Sequence, residues 1–247
     1  MLPEIPACEL TRVLEDCAAE LLEAAGVERP PVDAFEVAAA QGILVGRSGD
    51  QRGRAQFVRL RGQGGRAQPS IFLRDEDRRE RLQWALAHEV AESVAYRVFA
   101  ELGVQAVEAP PDARERIAND LARRLLLPGG WYFPAARDCQ WDLFALKARF
   151  PTASHELIAR RMLDDEPPII VTIFDHGRAG FRRMNRPGIP PPLTPLESSA
   201  WRQAHGSGNP VLEEDDGHEA RAWPIHEPNW RREIVRLELP AGFEDVA

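Results

Sequence analysis

The twelve residues Arg81-Leu82-Gln83-Trp84-Ala85-Leu86-Ala87-His88-Glu89-Val90-Ala91-Glu92 decide how this chain is to be read. At 100° per residue, Trp84, His88, Ala91, Glu92, Ala95 and Phe99 fall on one side of a helix, and Leu82, Leu86, Val90, Val94 and Val98 make an apolar row beside them. The pattern predicts a long, largely buried helix over about 77–102, ended by Gly103. A histidine and a carboxylate inside a buried stripe cost free energy unless each has a partner, and a shared metal ion would supply one. Glu89 lies 100° round from His88, where it would not bind the same ion from the same row but would reach a water held on it.

This arrangement is similar to the His-Glu-x-x-His helix of metalloproteases, in which the first and fifth residues hold zinc and the glutamate is general base. Further blocks extend the likeness. Arg81 to Glu92, Glu115-Arg-Ile-Ala-Asn119, Leu125-Leu-Leu-Pro128, Leu146 to Phe150, Ser154 and Arg160-Arg-Met-Leu163 together resemble the ImmA/IrrE metallopeptidase family over roughly residues 10–163. The resemblance implies a gluzincin-like site in which His88 is the first metal ligand, Glu115 the third, and Glu89 the general base. It also implies a cytoplasmic regulatory protease whose partner is a protein substrate, often a transcriptional repressor. The fold expected is α+β: a mainly helical zincin-like metallopeptidase domain with a small β-sheet over residues 1–165, then a small β-rich C-terminal unit over 166–247.

The departure lies at the fifth motif position, where Glu92 stands in place of histidine. A His88, Glu92, Glu115 set with an open fourth position is sound for a divalent metal, zinc by family, while the second anionic ligand favours manganese or iron. It also lowers the effective metal charge, so bound water would be a poorer acid. Two functions follow from the same residues: hydrolysis of a peptide bond with Glu89 activating the metal-bound water, or a non-catalytic metal-binding sensor derived from such a peptidase. Each residue also has a plainer reading. His88 and Glu92 would be a buried hydrogen-bonded pair, Glu89 an exposed carboxylate facing Arg97, and Glu115 a first-turn acid favoured by the helix dipole. Asn119 shares the Glu115 stripe.

Outward from this helix, apolar spacing predicts helices over 10–25, 33–40, 111–127, 142–149 and 154–163, and strands over 42–45, 55–60 and 69–73, the last two joined at Gly62 to Gly65. Beyond Pro167 the texture becomes strand-like (169–174, 179–184, 223–226, 233–239), with loops at 187–195 and 206–217 and a short helix over 196–204. Composition narrows the function. The formal charge of -8 opposes a protein built chiefly to hold phosphate backbones. Arg160 and Arg161 follow a tight turn in helix-turn-helix style, but their helix has apolar residues to pack, so direct nucleic-acid binding is not expected. No apolar run approaches a membrane span, residues 1–9 lack a signal-peptide layout, and Cys8, Cys17 and Cys139 suit a reducing compartment. Of the remaining histidines only His226 is singled out as a substitute ligand. Trp131 and Tyr132 are read as packing residues before cleft residues.

Overall fold

The computed structural model describes residues 5–49, 53–61, 67–165 and 167–239. The chain divides into two compact units, Met1–Ser154 and His155–Ala247.

In the first unit, α1 (Ala7–Ala24) and α2 (Ala34–Ala40) precede β1 (Leu44–Arg47), β2 (Ala55–Arg61) and β3 (Ala67–Leu73). There follow α3 (Arg79–Glu101), α4 (Pro111–Leu126), α5 (Gly129–Asp138) and α6 (Leu143–Arg149). The strands form a sheet in the order β1-β3-β2, with β3 parallel to β1 and antiparallel to β2. The turn expected at Gly62 to Gly65 lies outside the described residues. Helix α3 packs against α1, α2, α4, β2 and β3. Its Leu86, Val90, Val94, Val98 and Phe99 are buried, and the small Ala87 and Ala91 let it approach the Ile117, Ala118, Leu121 and Ala122 face of α4 closely. A polar tie fixes its start. Buried Gln83 accepts from the Ala34 amide at 2.8 Å and donates to Asp33 at 2.8 Å, while Asp33 itself caps α2 through the Phe35 amide.

Pro128 and the glycines after it read as a stop, and α4 does end at Leu126, but they also start α5. The first turn of a helix has amides without intrahelical partners. Here the Gly129 amide donates to the Glu15 carboxylate of α1 at 3.0 Å, so tertiary structure completes what local sequence leaves open.

In the second unit, α7 (His155–Arg161) and a 3₁₀ turn (Met162–Asp164) lead into β4 (Ile169–Asp175) and β5 (Arg178–Met184). Helix α8 (Pro195–Ser207) follows, then β6 (Val211–Asp215), β7 (His218–Glu227) and β8 (Trp230–Glu238). The strands form one antiparallel sheet, β5-β4-β8-β7-β6. Helix α8 packs on β6, β7 and β8, where Ala200 and Ala204 join a core with Ile170, Phe174, Ala220, Ala222, Val235 and Leu237. Its start is a capping box of Thr194 and Glu197, and the buried Glu197 carboxylate is also paired with Arg182.

This architecture corrects the expected mainly helical zincin-like domain with a small β-rich appendage. Helix makes up 46% and strand 25% of the described residues, and the strands form two separate sheets, which makes this an α+β fold. The shortfall in expected strand comes from residues 211–222. Residues 211–215, inside the expected loop over 206–217, form β6, and β7 begins at His218, five residues before the expected strand, because each pairs along its length with a neighbour.

Candidate functional site

The close packing of α3 on α4 sets His88 opposite Glu115, with Nε2 to Oε2 at 3.7 Å. The His88 side chain is largely covered and its ring lies 6.5 Å from that of Trp84. Glu115 sits on the exposed side of the gap, where its other oxygen accepts from Asn119 Nδ2 at 2.9 Å, one turn along the same helix. Asn119 therefore orients the Glu115 carboxylate.

Glu89 is half-buried and faces β2, where the Phe57 backbone amide donates to it. Burial, then the charge of Glu92, hold its carboxyl above the usual carboxylate range, against the lowering effects of His88 and the Phe57 amide. The plainer pairing with Arg97 is not made. Arg97 instead reaches Gln41 and Tyr96. Leu82 and Ala85, on the same face of α3 as Glu89, line a cleft of about 480 Å³ whose rim carries Arg54, Arg74, Arg81, Asp75, Glu76 and Asp77.

Glu92 acts on this group through its charge on Glu89. It is exposed and forms no hydrogen bond or ion pair with a described residue. Zinc bonds nitrogen and oxygen at about 2.0–2.2 Å, so ligand atoms on one ion lie roughly 3.4 Å apart. The His88 to Glu115 separation of 3.7 Å meets that condition. The ligand atoms of His88, Glu92 and Glu115 do not all come within 4.8 Å of one another here, and the approach seen is that of His88 and Glu115. Tyr132 is fully buried, packed against Phe133 and Phe150, and belongs to the core.

Among the described residues, three metal-ligating atoms come within 4.8 Å of one another at another place, His205, His226 and Glu233 of the second unit. Nδ1 of His205 and Nε2 of His226 lie 2.8 Å and 2.7 Å from the same Glu233 oxygen, and Trp201 Nε1 donates to the other at 3.2 Å. Sequence reading singled out His226 alone. His205 and Glu233 carried no signal, since no helical or strand period relates the three positions. Among the described residues no helix is long and apolar enough to cross a membrane.

No family model and no curated protein matches this chain. A solved structure of a Mycobacterium tuberculosis transcriptional regulator is similar to it, with a TM-score of 0.61 and 17% identity over 93% of this chain and 79% of that one. At that identity the likeness establishes a shared fold, and it replaces the zincin-like fold expected from the motif.

Proposed function

We propose that this chain is a regulatory protein whose first unit derives from an ImmA/IrrE-type metallopeptidase and no longer hydrolyses peptide bonds. The observation that carries this reading is the position of Glu92. It occupies the place of the second motif histidine, faces solvent, and leaves His88 and Glu115 as a pair. A pair of donors is too few to hold zinc firmly and polarise a carbonyl, which asks for three protein ligands and an open position. The role of transcriptional regulator borne by the structurally similar protein from Mycobacterium tuberculosis supports a regulatory assignment. We place the chain in the cytoplasm, where a reducing environment suits its three free thiols.

A second reading keeps the peptidase, with a protein such as a transcriptional repressor as substrate and zinc, manganese or iron as metal. One observation favours it. Glu89 is a half-buried carboxylate with a raised affinity for protons beside His88, which suits a general base.

The two separate cleanly. The full chain, incubated with a proteome-derived peptide library and Zn²⁺ or Mn²⁺, should produce the same new N-termini as its Glu89→Gln variant, namely background only. New termini present with the wild type and missing with Glu89→Gln would establish the peptidase and overturn the regulatory reading.

A further inference from the structure

We propose that His205, His226 and Glu233 form a transition-metal site in the second unit, with zinc its best-matched ion. This goes beyond the regulatory reading and stands independently of it.

The ligands come from three elements that the fold forces together. Along β7 and β8 the register pairs Pro224 with Glu233 and His226 with Arg231, so His226 and Glu233 are diagonal neighbours on one face of the sheet. Helix α8 covers that face. With Ala204 buried in the core, His205 falls one position on, in the last turn, and its ring reaches the same carboxylate. Glu233 is fully buried, so its charge needs close compensation.

Two imidazole nitrogens converge on one oxygen at 2.7 and 2.8 Å. Replacing the two shared protons by one ion needs those separations to open to roughly 3.4 Å, a small rotation of each ring. Trp201 Nε1 holds the second carboxylate oxygen, the kind of outer partner that fixes a metal-binding carboxylate in place. Neither histidine is fully covered, their side chains being 34% and 25% exposed, so a fourth coordination position opens outward. Two imidazoles and one carboxylate match zinc and its first-row neighbours, and do not match magnesium or calcium, which take oxygen ligands throughout.

The test uses the full chain carrying His88→Ala and Glu115→Ala, stripped with a chelator, so that any ion bound reports on the second unit alone. Co²⁺ serves as the optical probe and Zn²⁺ as the titrant. The expected result is one Co²⁺ per chain with visible ligand-field bands, displaced by Zn²⁺, and affinity reduced at least 100-fold by His226→Gln. The Gln amide can still donate to Glu233, so this variant keeps the fold while losing the nitrogen ligand. Trp201→Phe should weaken binding about tenfold. In thermal melts Zn²⁺ should raise the Tm of the parent and leave that of His226→Gln where it was. No Co²⁺ spectrum in the parent, or the same spectrum and affinity after His226→Gln, would overturn the site and leave a hydrogen-bonded cluster.

Discussion

Nε2 of His88 faces Oε2 of Glu115 at 3.7 Å across the α3 and α4 contact, while Glu92, one turn beyond His88 on the same helix, is turned to solvent. Replacing Glu92 by histidine would place a neutral nitrogen one turn from His88, the spacing at which two histidines of one helix grip zinc. In a chain whose second unit carries His205→Ala and His226→Gln, Glu92→His should raise zinc affinity at least tenfold. Calorimetric titration of the stripped protein measures this. Unaltered affinity would mean that a histidine at position 92, like the glutamate there, stays turned to solvent.

Gln83 makes two hydrogen bonds to the start of α2, a buried one to an amide and a part-buried one to a carboxylate. Gln83→Leu fills the same space and leaves the Ala34 amide buried without its acceptor. The cost should be about 2 kcal/mol, seen as a lower urea midpoint at unchanged m. A shift under a few tenths would place the α2 to α3 junction outside the cooperative core.

Lys147, the one lysine in the chain, spends all three ammonium hydrogens. It donates to Glu80 at 2.6 Å and to the carbonyls of Pro151 and Ala153 at 2.9 and 2.8 Å. Arginine's planar fork cannot fan out to three such acceptors. Lys147→Arg should therefore lower stability in urea by about 1 kcal/mol, a figure kept small because the pair is partly exposed. Equal stability of the two proteins would show that charge alone matters there.

Burial, aided by the nearby Glu20 charge, pushes the Cys17 thiol up to about 11, whereas Cys8 is exposed. Only the thiolate is alkylated. At pH 8 iodoacetamide should label Cys8 within minutes and Cys17 only after denaturation, as peptide mass mapping would read. Between pH 8 and 10 the Cys17 rate should still be climbing, because its thiolate fraction grows until pH passes about 11. Comparable labelling of both thiols in the native protein would contradict the packing of α1.

What the sequence disclosed, and what it withheld, follows the range of the interactions involved. Helix α3 was legible because two adjacent rows of apolar residues can be buried only by a helix, and the structure buries Leu86, Val90, Val94 and Val98 of one row and Ala91, Ala95 and Phe99 of the other. Asp33 and Asp142, the first residues of two expected helices, cap those helices through local side-chain to amide bonds. Helix α5 was hidden because its first amide is satisfied by Glu15, more than a hundred residues away. In the first unit, Glu115 could be placed near His88 only through a family pattern. The solvent-facing position of Glu92 depends on how α3 sits against its neighbours, which its type does not state. The group around Glu233 was hidden more thoroughly. Its members meet through the β7 and β8 register and the seating of α8, and neither is written in any short stretch of residues.

The outermost strands of the five-stranded sheet carry opposite signs. Strand β5 exposes Arg178 and Arg183, and β6 exposes Glu214 and Asp215. If two copies met along the same strand under two-fold symmetry, each edge would confront its own charge and be repelled. Sheet continuation between copies is thereby confined to a head-to-tail order, basic rim against acidic rim. That order does not close on itself as a dimer, so the charge on two short strands steers the molecule away from self-pairing.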